Sequence, residues 1–522
     1  MLDLVMLNGL PSLLMKMGGL IITGDLLALA IKSKKKEQNK ATAELKDYKE
    51  LENLSGNDGL IISKRIRLKE KQDFEGICIV APTGSGKTSS FFYPNLLNES
   101  LKGSIVVVDP KGELYRDTSN FQRDVCKRKV LKFSPLEPGC SEQYNLLEQC
   151  KDSTEVIQLA STLLLNGALS IELQSGKSAG GIEWVQMSEP LLAAALLFVR
   201  RLKMPFNTIE YAFKLIINSS QEELDLYLGN CEDEEVLTQY NIFKTVATSQ
   251  NTSGSIKVTL ASNLKLFTDK KVNYISSKTT FTAKQLREKP TILYITFPER
   301  KGHYLAPFIA PFFSQLIDKL LDNFNDKSLP IHFLFDEFGN IGQINNMSIN
   351  CATVRSRKMS FSICLQSITQ LYQVYGRDNA KAILNNLKTK IFLPGLSDMD
   401  TLAYVEGLCG KTEIKNVTIN SNNNSSSEST TTRNVLNQDE IRRLENEELL
   451  IITGNKQPVK DMQLVYYKNN LCKDRVKKVP PTNEKNILLQ SYNEEFKELL
   501  IERYGSVEKE EVNDLIKEYF QK

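Results

Sequence analysis

The chain has 522 residues, enough for two or three domains, and a quarter of them are charged (25%) with a net balance of only +3. A global basic bias is therefore absent, so any nucleic-acid contact has to come from a local patch. Nine cysteines without a CxxC pair point to reduced thiols rather than a disulfide framework. Two histidines, His303 and His332, argue against a His-based metal centre and against a relaxase-type nuclease.

Residues 4–31 are mostly apolar, and Lys32, Lys34, Lys35, Lys36 and Lys40 follow at once. That order predicts a membrane span or re-entrant anchor with its lysines on the cytoplasmic side. Lys16, Asp25 and Pro11 oppose it, Asp25 at a cost of about 2.5–3.5 kcal/mol near mid-span, and an interfacial or partner-buried helix is the alternative. We expect residues 1–32 to be this anchor and 33–58 a charged linker. GLIISKRIRL (59–68) alternates apolar and basic residues and predicts a lead-in strand.

The run GICIVAPTGSGKTSSF (76–91) reads as a nucleotide-binding loop: a short apolar strand, a glycine-bearing turn and a helix opening at Lys87–Thr88. Thr83, Gly84, Ser85 and Gly86 form the turn, where glycine lets successive N–H groups point at phosphates. Lys87 supplies the cation, Thr88 a hydroxyl for Mg²⁺, and the helix N-terminus a favourable dipole. Ala81 stands where the usual pattern has glycine, and Pro94 should end or kink the helix after about two turns. SIVVVD (104–109) predicts a buried parallel strand ending in the turn DPKGELY, and KVLKFSP (129–135) a further strand.

From residue 152 to about 280 the periodicity becomes helical, which predicts an all-α insertion between two parts of an α/β nucleotide-binding domain, 59–151 and 281–475. Trp184 is expected in the core of that insertion. Strand patterns return at 291–297, 329–339, 360–366 and 390–395, and the polar low-complexity segment 416–433 is expected to be a mobile loop between two edge strands. Residues 476–522 read as a charged helical tail.

The apolar strand before Asp336–Glu337 ends in paired carboxylates, as a nucleotide hydrolase requires opposite its phosphate loop. Asp336 can hold Mg²⁺ through water and Glu337 can polarise the attacking water. Both motifs sit at the carboxyl ends of expected parallel strands, where open α/β sheets place their sites. The cofactors implied are ATP and Mg²⁺.

GSGKT, VVDPKGELY, FDEFGNIG and RSRKMSFSICLQSITQLYQVYG, in that order, resemble the type IV coupling proteins of conjugation, the TraG/TraD family, over about residues 59–470. The resemblance implies a RecA-like P-loop ATPase domain with an all-α domain, an N-terminal membrane anchor and a homohexamer that handles DNA. It further implies relaxase or relaxosome partners, type IV secretion channel subunits, and a cell-membrane location with the ATPase domain in the cytoplasm. By the same resemblance, Gln366 matches a γ-phosphate sensor and Arg355 an arginine finger offered to a neighbouring subunit, with Arg357 in reserve. Lys388 and Lys390 are candidate DNA contacts. The short N-terminus departs from the family's usual transmembrane hairpin and periplasmic loop. An FtsK-type translocase, a larger secretion-assembly ATPase, a non-hydrolysing docking platform and a small-molecule kinase remain as alternatives.

Overall fold

Four runs are almost wholly apolar, Ile77–Val80 (β1), Ser104–Asp109 (β2), Thr291–Thr296 (β4) and Ile331–Phe335 (β5), and such runs need cover on both faces. The computed structural model describes residues 41–176, 181–420, 425–478, 487 and 489–506, and there these strands lie at the centre of one sheet. The others are Lys129–Phe133 (β3), Met359–Leu365 (β6), Thr389–Phe392 (β7), Glu448–Thr453 (β10) and Val459–Met462 (β11). The order is β11-β10-β7-β1-β6-β5-β2-β4-β3, and β1 to β7 all run parallel while β10 and β11 close one side antiparallel.

Side chains alternate across each strand, and two cores result. Ile77, Ile79, Ile105 and Val107 pack with Phe91, Phe92, Leu114 and Phe121 from the helices after β1 and β2. Cys78, Val80, Val106 and Val108 face the other way, towards Phe308, Phe312 and Phe313 of the helix Gly302–Asp322. Deleting any of these buried aliphatic side chains to alanine costs about 2–5 kcal/mol.

Between Ser153 and Ile275 the described residues hold helices and no strand. The two longest, Ser153–Ser175 and Ile182–Arg200, are apolar and long enough to cross a membrane, but half or more of the most apolar 18-residue stretch of each is buried (50% and 56%). Trp184 departs from expectation: at 36% exposure it sits on the first turn of its helix, while Leu191 to Val199 further along fill the core. The tail helix Asn493–Tyr504 packs on this region, with Phe496 against Phe206 and Tyr211, and Tyr504 against Phe198.

Three other expectations change. Gly59–Leu68 is not a strand: it closes on itself through single bridges from Ile61 to Arg67 and from Ser55 to Leu68, with Ile61 N–H donating to buried Asn95. Residues 416–420 and 425–433 belong to an antiparallel ribbon, Lys411–Asn420 (β8) with Ser425–Asn434 (β9), whose ladder is made by backbone groups and so requires no apolar pattern. The described part of the linker is docked on both, Thr42 bridging Thr412 of the ribbon and Lys46 bridging Val459 of the sheet, before the short helix Tyr48–Leu54. Residues 4–31 and the lysine cluster after them lie outside the described residues.

Candidate nucleotide site

Parallel strands in register bring their carboxyl ends to one edge, and four of those ends build the site. β1 feeds the phosphate loop, β2 ends at Asp109, β5 leads into Asp336–Glu337 and β6 into Gln366. Since β6 lies between β1 and β5, Gln366 emerges between the loop and the paired carboxylates.

The loop needs its glycines. Gly84 and Gly86 have φ of +83° and +90°, a region that side-chain-bearing residues avoid. Ser85 Oγ is turned back to donate to the Pro82 carbonyl (2.7 Å). After Lys87 the chain makes a π-helical turn, Thr88–Phe92, then an α-helical turn, Tyr93–Leu96, which holds Pro94 in its first positions and ends two residues past it.

Lys87 Nζ donates to Glu337 Oε2 (2.6 Å) and to the Asp336 carbonyl (3.0 Å). Thr88 Oγ1 donates to Asp336 Oδ2 (3.1 Å), and Gln366 Nε2 to Glu337 Oε1 (3.3 Å). Lys87, Thr88, Asp336, Glu337 and Gln366 are thus one bonded network lining a cleft of about 570 Å³, with Thr83, Gly84 and Gly86 beside them.

Burial pushes the Asp336 carboxyl up to about 6 against the pull of Lys87. Burial also opposes the Lys87 charge, yet Asp336 and Glu337 outweigh it and hold the ammonium above its usual range. Asp109 is raised to about 7, chiefly by burial.

Arg355 is not brought to this cleft in the same chain. It precedes β6 at the amino edge of the sheet, where its guanidinium pairs with Glu75 (2.8 Å) and its side chain is 58% exposed. The seven residues of β6 separate it from Gln366, about 23 Å of strand. Arg357 lies there too, over the Phe324 ring at 5.4 Å. Lys388 shares Glu75 with Arg355 (3.6 Å) and is exposed. Lys390 is withdrawn as a DNA contact: it is buried, with Nζ donating 2.7 Å to the Leu387 carbonyl.

Sequence reasoning missed the far wall of the cleft. Lys111, Glu113, Arg116 and Asp117 come from the turn and helix after β2, and Tyr466, Tyr467 and Lys478 from the segment after β11. The first group was detectable, since DPKGELY ends a strand that pairs with β5. The second carries no local signal, because only the antiparallel return of β10 and β11 brings it across.

A family profile described as "Type IV secretory system Conjugative DNA transfer" matches residues 25–489. Protein VirD4 of Agrobacterium fabrum is 25% identical over 412 residues, covering 76% of this chain and 59% of that protein. The conjugal transfer protein TraG of Escherichia coli is 23% identical over 368 residues, covering 65% of this chain and 56% of that protein. The chain therefore spans somewhat more than half the length of these relatives. Among solved structures, the unbound bacterial conjugative coupling protein TrwB is similar with a TM-score of 0.64 at 15% identity, covering 82% of this chain and 93% of that one. TrwB in complex with ADP and Mg²⁺ gives 0.64 at 16% identity, covering 82% and 94%. The shared architecture is the RecA-like P-loop fold. With most of its length matched by the family and its loop, carboxylate pair and strand-end glutamine gathered at one sheet edge, the chain belongs to the type IV secretion coupling proteins of conjugative DNA transfer.

Proposed function

We propose that the chain is an ATP-hydrolysing motor that recruits relaxase-bound DNA and drives it into a conjugative type IV secretion channel. The observation that carries this reading is the bonded network of Lys87, Glu337 and Gln366 beside the Thr88–Asp336 pair. Thr88 and Asp336 fit Mg²⁺, a hard cation that takes one or two protein oxygens and completes its shell with phosphates and water. When bound, that ion neutralises charge building between the β- and γ-phosphates. Lys87 exchanges Glu337 for a phosphate oxygen, which frees the Glu337 carboxylate to orient a water. Gln366, bonded to Glu337, reports to the rest of β6 whether that exchange has occurred.

Arg355, exposed on the opposite edge and paired with Glu75, serves a neighbouring subunit in this reading rather than its own site. A homohexamer that sets the amino edge of one subunit against the carboxyl edge of the next completes six such sites. Residues 4–31 anchor the assembly in the cell membrane with the ATPase domain in the cytoplasm. DNA is held by phosphate charge and without sequence reading.

The test is ATP hydrolysis by the purified protein, titrated with single-stranded and duplex DNA. Turnover that DNA stimulates and that Lys87→Ala abolishes supports the motor. Wild-type turnover no higher than that of Lys87→Ala, with either DNA present, overturns it in favour of a docking platform.

A further inference from the structure

Three charged side chains meet at the amino edge of the sheet, at the starts of three neighbouring strands. Glu75 stands just before β1, Arg355 in the turn before β6 and Lys388 directly before β7, and the sheet order sets β1 between the other two. Each oxygen of the one carboxylate takes a cation: Arg355 Nη1 lies 2.8 Å from Glu75 Oε1, and Lys388 Nζ 3.6 Å from Glu75 Oε2. The carboxylate is the fixed member. Its backbone is zipped to β7, the Lys388 N–H donating to the Glu75 carbonyl (3.0 Å) and the Thr389 N–H to the Gly76 carbonyl (3.1 Å). The Glu75 side chain is 17% exposed, against 58% for Arg355 and 49% for Lys388.

Two cations on one carboxylate leave the cluster net positive, and that decides how easily it opens. An exposed ion pair of this kind holds by a factor of about two to five. When Arg355 leaves, Lys388 stays on the carboxylate, so no charge is stranded without a partner. The terminal phosphate of a nucleotide carries more charge than one carboxylate and offers paired oxygens to the planar guanidinium, so it outcompetes Glu75. The strands connect this cluster to the other edge. β1 runs from beside Glu75 to the phosphate loop, and β6 from beside Arg355 to Gln366. While closed, the pair ties the amino ends of two adjacent strands whose carboxyl ends hold the loop and the glutamine of the same chain.

We propose that Glu75 is the resting partner of Arg355: a positioning residue that holds the guanidinium at the subunit edge and yields it to the γ-phosphate bound by the neighbouring subunit, with Lys388 taking over the carboxylate. The inference rests on the proposed service of Arg355 to a neighbouring site and adds what restrains that arginine while the site is empty. The step exchanges one ion pair for another, and no covalent bond changes. Glu75 thus competes with the nucleotide for the arginine, and Lys388 weakens the competitor. Removing Glu75's charge helps engagement, and removing Lys388 hinders it.

Steady-state ATP hydrolysis by the full-length protein at saturating DNA, with hexamers confirmed by mass, reads this competition. Glu75→Gln is expected to raise kcat/KM by about two- to fivefold, and Lys388→Ala to lower it by a similar factor. The two combined should give the Glu75→Gln value, since Lys388 acts through the carboxylate alone. In an Arg355→Ala background neither substitution should alter the residual turnover, a cycle that a merely structural role of Glu75 does not satisfy. A kcat/KM that is unchanged or lowered in Glu75→Gln, or unchanged or raised in Lys388→Ala, overturns the inference alone. So does an effect of either that persists without Arg355. Turnover of Arg355→Ala equal to wild type removes the reading of Arg355 as a neighbour's arginine together with this one.

Discussion

In the proposed motor Lys87 has two anionic claimants, the Glu337 carboxylate that it holds at 2.6 Å and the phosphates of the bound nucleotide. Lys87→Ala should therefore lose triphosphate affinity and all turnover, because the loop gives up its cation. Glu337→Gln keeps Asp336 and Thr88 for the metal, so it should bind ATP and lower turnover by about 10²–10⁴-fold. Nucleotide binding and steady-state hydrolysis measured on both variants check this, and equal loss of binding in the two would contradict the assigned roles. His332 is a residue whose effect falls on stability instead. It is fully buried in β5 with Nδ1 on Ser360 Oγ (2.9 Å), and burial, aided by Arg128, pushes its imidazole down to about 3. The unfolded chain then takes up this proton first, so the stability that neutral His332 preserves at pH 7 drains away as pH falls from 6.5 towards 3. The slope from this one group is at most about 1.4 kcal/mol per pH unit. Urea unfolding across that range should show a shallower fall for His332→Gln, which does not titrate.

Among the elements, the helix Ser153–Ser175 has the most direct line to the nucleotide site. Buried Asn166 accepts from the Gln343 N–H (2.7 Å) and donates to the Gln343 carbonyl (3.1 Å), clamping the loop that follows Glu337. Gly342 makes that approach possible, for a Cβ there would meet Asn166 Oδ1 at 2.5 Å, and its φ is +84°. Ser170 of the same helix donates 2.6 Å to the His303 carbonyl. Asn166→Leu leaves two half-buried backbone groups of Gln343 without their partner and should cost about 1–3 kcal/mol by urea unfolding. It should also lower ATP turnover with nucleotide binding retained, since the displaced loop carries Glu337 and not Lys87. The elements that were misread share a cause. Gly59–Leu68 and 416–433 have short or polar patterns that local periodicity cannot assign, and the partners that decide them, Asn95 for one and the facing half of the ribbon for the other, are remote or equally featureless.

At the level of the whole molecule, Glu337 lies at one sheet edge and Arg355, paired with Glu75, at the other, and the proposed motor joins the two across a subunit interface. Mixing Arg355→Ala with Glu337→Gln subunits should restore part of the turnover, because some interfaces then join an intact arginine to an intact carboxylate. No recovery at any ratio, with hexamers confirmed by mass, would assign Arg355 a structural role with Glu75. Removing the first forty residues should leave a soluble protein that keeps nucleotide binding. A cut further in, after Gly59, should instead unfold or aggregate it, since Leu51 is fully buried and Lys46 bridges β11.

The glycine turn after β1, the carboxylate pair after β5, the helical stretch between the two α/β parts and the family were legible in the sequence, because each is written in contiguous residues whose backbone demands are local: glycines where φ is positive, apolar runs where both sheet faces are covered. The packed fold was needed to show that β6 lies between β1 and β5, which joins Gln366 to Glu337 and sends Arg355 to the far edge. It alone decided that Lys390 is buried, that Asn166 grips the loop after Glu337, and that Tyr466 and Tyr467 face the phosphate loop across the cleft. The physical reason is strand order. A parallel sheet sets neighbours by how crossover helices pack on its faces, and that packing sums many weak apolar contacts distributed over hundreds of residues.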